Sequence, residues 1–72
     1  MNFSNRLKLL RAEKNISQVK LAEIMNLSRR IIQTYEAGTQ EPTLSKLIAF
    51  ADLFDVSIDY LVGRTDNPEV NR

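Results

Sequence analysis

The chain has 72 residues, 43% of them hydrophobic and 26% charged, with a formal net charge of +1 and neither cysteine nor histidine. A chain this short buries only about 60% of its unfolded surface, so it folds alone only around an efficient apolar core. No disulfide can staple it, no soft ligand is present for a structural zinc, and the composition is too apolar for disorder. The N-terminal Met-Asn-Phe-Ser-Asn-Arg has no apolar signal region, and no apolar run approaches the roughly 18 residues of a membrane span, so a cytoplasmic protein is expected.

The near-neutral sum hides an asymmetry. Residues 1–36 carry Arg6, Lys8, Arg11, Lys14, Lys20, Arg29 and Arg30 against Glu13, Glu23 and Glu36, a balance of +4. Residues 37–72 carry Lys46, Arg64 and Arg72 against Glu41, Asp52, Asp55, Asp59, Asp66 and Glu69, a balance of −3. A basic half beside an acidic half suits a protein with one face on a polyanion.

No stretch alternates with period two for long enough to predict a strand; the apolar residues recur at three and four, as in helices. Phe3, Leu7 and Leu10 form a first stripe that stops near Asn15, a residue that tolerates the left-handed conformation ending a helix. Ser17 is the expected cap of a second helix with Leu21, Ala22 and Met25, and Ser28 that of a third with Ile32 and Tyr35, closed by Gly38. Thr39-Gln40-Glu41-Pro42 is a loop, because proline pushes its predecessor out of helical space. Thr43 caps a fourth helix with Leu44, Leu47, Ile48, Ala51 and Phe54. Ser57 caps a short fifth with Ile58, Leu61 and Val62, which Gly63 closes. The expectation is an all-α domain over 1–63, followed by a polar, frayed tail or linker start over 64–72.

Ser17 to Gly38 carries the chemistry. Two helices of about eight residues joined by a turn of three or four residues have the spacing of a helix-turn-helix. Asn26 is the best non-glycine choice for the positive φ of that turn, Leu27 pins it to the core, and Ala22 is small where the helices cross. The linked elements are R-L-K-x-L-R at 6–11, I-S-Q-x-x-L-A at 16–22, S-R-x-x-I at 28–32, Y-E-x-G at 35–38, P-T-L-x-x-L at 42–47 and V-S-I-D-Y-L at 56–61. Together they resemble the Cro/repressor-type, Xre-like helix-turn-helix regulators over residues 3 to about 63. The resemblance implies a five-helix lambda-repressor-like fold with the helix-turn-helix in helices 2 and 3. Two departures stand out: Asn26 where that family usually has glycine, and Ala37 where asparagine is common, which removes a polar contact near the phosphates.

With Ile32 turned inward, Tyr35 and Glu36 share its side of the third helix. Arg30, Gln33, Thr34 and Ala37 face away, and Arg29 lies at the leading edge. Arg29, Arg30, Gln33 and Thr34 are therefore the expected base readers: arginine pairs bidentately with guanine and glutamine with adenine. On an arbitrary helix the two arginines would be ordinary solubilising residues; their place in this motif favours readout. Gln18 matches the family glutamine that bonds a backbone phosphate, beside a helix N-terminus with unpaired N–H groups. Lys20, Ser28, Thr39 and Gln40 are weaker phosphate candidates, each also explicable as plain surface or cap. The resemblance further implies that Arg11 and Glu36 meet as a partly buried salt bridge between the first and third helices.

Catalysis has little to work with: no histidine or cysteine is present, and Gly38 and Gly63 alone form no phosphate loop. Asp52, Asp55 and Asp59 fit no calcium loop and are expected to be a solvated acidic face. No cofactor or metal is expected. The rival to DNA binding is a protein-interaction or antitoxin-type module on the same fold, which would place an apolar patch where this chain has Arg29, Arg30, Gln33 and Thr34. Ile31 is the one apolar candidate there, and it could equally meet a thymine methyl. A domain of this size reads few base pairs, so weak homodimerisation on a pseudo-palindromic DNA operator is expected, through Val56, Ile58, Tyr60 and Val62.

Overall fold

A computed structural model describes residues 1–70; Asn71 and Arg72, the end of the expected tail, lie outside the described residues. Five helices follow one another: α1 (Phe3–Glu13), α2 (Gln18–Met25), α3 (Arg29–Ala37), α4 (Leu44–Phe54) and α5 (Ile58–Leu61). No strand occurs among the described residues. Their boundaries are written in short-range chemistry. Each helix starts on a side-chain oxygen (Asn2, Ser17, Ser28, Thr43, Ser57) that accepts the backbone N–H three residues on. Such a cap is worth about 1 kcal/mol against alanine.

The helix ends are equally uniform. Asn15, Asn26, Gly38, Asp55 and Gly63 all take positive φ, between 54° and 84°. In each case the next residue donates its N–H to the carbonyl five residues back: Ile16 to Arg11, Leu27 to Ala22, Thr39 to Thr34, Val56 to Ala51 and Arg64 to Asp59. This double closure satisfies carbonyls that the helix leaves open and turns the chain sharply. At Ile16, Leu27 and Val56 the turn also drives an apolar side chain back onto the core. Gly63 has a second reason to be glycine, since a Cβ there would overlap the Met1 carbonyl.

α3 lies between α1 and α2, α4 packs on α5, and α5 returns to α1. Leu7, Leu21, Ile32, Phe50 and Leu61 are the large side chains sealed at the centre, one from each helix. Phe3, Tyr35 and Phe50 meet with ring centroids 5.8–6.0 Å apart. The α4 face departs from expectation. Leu47, Phe50, Ala51 and Phe54 face inward, whereas Leu44 and Ile48, expected in the core stripe, are 67% and 43% exposed.

Two arginines tie the helices together. Arg11 Nε donates to Glu36 Oε2 at 2.7 Å and its Nη2 to Oε1 at 3.1 Å, while Nη1 donates to the Ile16 carbonyl at 3.0 Å. Arg6, counted above in the basic half of the chain, is buried. Its guanidinium stacks on the Tyr60 ring at 3.8 Å and its Nη2 donates to the Thr65 carbonyl and to Asp66 Oδ1, both at 3.4 Å. Ser57 N–H donates to the Pro68 carbonyl at 3.1 Å. Residues 65–68 are thus bonded to α1 and to the α5 cap, where fraying was expected.

Two stability outcomes follow. Asn26→Ala costs about 1 kcal/mol by forcing a Cβ-bearing residue without a local polar partner into the left-handed region, whereas Asn26→Gly is neutral or stabilising. Denaturant melts that rank alanine equal to glycine contradict this. Arg11→Met strands the Glu36 carboxylate and costs about 3 kcal/mol, and adding Glu36→Leu restores part of the loss. Additive losses in the same melts would mean that the pair contributes nothing as a pair.

Candidate nucleic-acid interface

α3 is the most strongly two-faced element of the chain. Ile32, Tyr35 and Glu36 are buried, while Arg29, Arg30 and Gln33 are exposed in a row along its N-terminal half. Its cap, Ser28 Oγ, accepts from Ile31 N–H at 3.2 Å, and no acid occupies the first turn. Two guanidinium groups therefore stand at the positive pole of a helix, a field that favours an anionic surface. Ile31 is half-buried and packs against the core, so the exposed face carries no apolar patch at that position.

The angle of this face is set at the other end of the helix. Glu36, with its side chain only 6% exposed, accepts from Arg11 of α1 and from Gln18 Nε2 of α2 at 3.2 Å. One carboxylate of α3 is gripped from both neighbouring helices. The expectation for Gln18 changes accordingly. One of its amide hydrogens is given to Glu36, and the second hydrogen and the carbonyl oxygen remain for an outside ligand.

Thr34 is also placed differently from a free base reader. It is half-buried, and its hydroxyl donates to the Ile31 carbonyl at 2.7 Å, so that oxygen can only accept from anything else. Lys20 is exposed, 3.8 Å from Glu23, with its backbone N–H bonded to Ser17 Oγ. Thr39 and Gln40 are exposed on the loop that closes α3. The Thr39 hydroxyl donates to the Thr34 carbonyl at 3.4 Å, and the Gln40 amide lies beside Thr34 Oγ1. Gln18, Ser28, the exposed row of α3 and this loop all belong to the helix-turn-helix and its immediate exit.

The expected dimer contacts divide. Val56 and Tyr60 are 7% and 9% exposed and belong to this domain's own core, Tyr60 lying under Arg6, so they offer little surface to a partner. Val62 is half-buried. Ile58 is exposed and sits with Ile48 and Val70 along a shallow groove between α4 and α5, bordered by Asp52 and Asp59. Among the described residues, no group of three or more acidic side chains could hold a metal ion, and no helix is long and apolar enough to cross a membrane.

The family model described as helix-turn-helix matches residues 7–61. The uncharacterised HTH-type transcriptional regulator YobD of Bacillus subtilis is 37% identical over 67 residues, covering 93% of this chain and 60% of that protein. The immunity repressor protein of Bacillus phage phi105 is 36% identical over 63 residues, covering 88% and 44%. A crystal structure of a transcriptional regulator from Listeria innocua superposes with a TM-score of 0.80 at 33% identity, covering 97% of this chain and 61% of that one. The chain therefore spans about three fifths or less of the length of these relatives. The family model covers most of the chain, including all of α2 and α3, and the protein belongs to the helix-turn-helix family.

Proposed function

We propose that this domain is the DNA-binding part of a cytoplasmic transcriptional regulator, a repressor, which lays α3 in the major groove of its operator. The observation that carries the reading is the exposed row of Arg29, Arg30 and Gln33 at the N-terminal end of a helix whose other face is locked to α1 and α2. Arginine offers two donors that match guanine N7 and O6, and glutamine a donor and an acceptor that match adenine N7 and its N6 amino group, in the major groove. The repressor reading takes its support from the similarity to a phage immunity repressor.

Phosphates on either side of the groove would be held by the second amide hydrogen of Gln18 with the free N–H groups at the start of α2, and by Lys20 and Ser28; the hydroxyl and backbone hydrogens of Thr39 are already given to the Thr34 carbonyl. These contacts position the domain and carry no sequence information. Arg30→Ala or Gln33→Ala relaxes base preference at one position by about 1–3 kcal/mol, measured as the affinity ratio between the selected site and a random duplex. Lys20→Ala weakens both duplexes alike and lowers the salt slope by about 1. Equal losses on both duplexes for all three variants would remove α3 from base reading.

Two copies of such a domain reach useful specificity on half-sites about 34–36 Å apart. Ile58 with Ile48 is the pairing surface, and the flanking Asp52 and Asp59 keep it weak off DNA. Sedimentation with half-site and full-site duplexes should show two chains on the full site and a clear gain in affinity over the half-site. Two chains bound with no such gain would rule out cooperative pairing.

A further inference from the structure

The loop that leaves α3 holds a group that the row of helix residues does not include. Gly38 N–H donates to the Tyr35 carbonyl at 3.2 Å and Thr39 N–H to the Thr34 carbonyl at 3.1 Å, while Pro42 keeps Glu41 out of helical space. Gln40 is therefore carried on a short segment between the bonded exit of α3 and Pro42, and its side chain lies back along α3, with Oε1 at 3.4 Å from Thr34 Oγ1. Thr34 stands one turn beyond Arg30 on the same side of α3, so Arg30, Thr34 and Gln40 continue one line.

The hydrogen count at Thr34 fixes what Gln40 does. The hydroxyl has one hydrogen, which goes to the Ile31 carbonyl at 2.7 Å. A second acceptor facing Oγ1 gains nothing there. Both groups are satisfied when the amide turns so that Nε2–H donates to the hydroxyl oxygen. Gln40 then keeps one N–H and its carbonyl oxygen side by side and unspent, the pair that matches N7 and the N6 amino group of adenine in the major groove. A phosphate contact fits this loop poorly: residues 38–42 contain no cation, and the adjacent Glu41 is exposed and would repel phosphate oxygens.

We propose that Gln40 is a specificity-determining residue that reads adenine beyond the reach of α3, with Thr34 as its positioning residue rather than a base reader itself. This rests on the DNA-reading function of α3 and adds a base to its site. The test is selection from a random duplex library with the wild-type chain and with the Gln40→Ala, Gln40→Glu and Thr34→Val variants, each checked for an unchanged melt. Wild type selects adenine at a position flanking those specified by Arg30 and Gln33. Gln40→Ala loses that preference alone, by about tenfold, with random-duplex affinity unchanged. Gln40→Glu moves the preference to cytosine, whose amino group a carboxylate accepts. Thr34→Val weakens the same position, and adding Gln40→Ala to it causes no further loss. A consensus unchanged by Gln40→Ala, or an equal loss on every duplex, overturns the proposal while leaving α3 as reader. A wild type that selects no consensus overturns both.

Discussion

Glu36 holds one carboxylate inside the domain, and three hydrogen bonds reach it from two other helices. A buried carboxylate without partners is costly, so α3 has one low-energy rotation, the one that delivers Glu36 to Arg11 and Gln18. Ile32 and Tyr35 anchor the same face by burial, but apolar contacts tolerate small rotations that a bidentate guanidinium does not. The direction in which Arg29, Arg30 and Gln33 point is thus set one to two turns away, at the far end of the helix. Arg11 also holds the Ile16 carbonyl, which extends the constraint into the turn before α2. Gln18 is linked to Glu36 and stands in the first turn of α2, so the same carboxylate couples the reading helix to the helix end best placed for a phosphate.

The remaining architecture frames this clamp. Oxygen caps at every helix start and left-handed closures at every helix end make five short helices possible in a chain with little core to spare. The helices are too short to be stable alone, and each becomes worthwhile only when its apolar side reaches the common centre around Phe50 and Leu7. Arg6 performs for α5 a task like that of Arg11 for α3. It stacks on Tyr60 and bonds to Thr65 and Asp66, so the chain leaving α5 is held along α1.

Local chemistry was legible in the sequence. Ser17, Ser28, Thr43 and Ser57 were identifiable as caps, and Asn15, Asn26 and Gly38 as helix ends, because those roles depend on a few neighbouring residues. The inward side of α3 was legible for the same reason, and the Arg11–Glu36 pair through the family resemblance. What escaped depends on partners distant in sequence. In α4 the run Leu47, Phe50, Ala51, Phe54 has the same spacing as Leu44, Leu47, Ile48, Ala51, and periodicity cannot choose between two adjoining apolar sides. Val56 and Tyr60 were expected as partner contacts, but both are buried in the domain's own core, Tyr60 beneath Arg6. Arg6 itself carried no signal of burial, since a buried arginine is recognisable only by its partners. The bonds of Gln18 to Glu36 and of Thr34 to Ile31 were likewise invisible in a helical wheel.

If the clamp sets the angle of the reading helix, base discrimination must depend on two residues that touch no base. The measurement is the affinity ratio between the selected site and a random duplex for the Arg11→Met/Glu36→Leu double variant, in which no buried charge is stranded. The account predicts a folded domain whose ratio falls toward that of random binding while its affinity for random DNA is retained. A folded double variant with the wild-type ratio would contradict it.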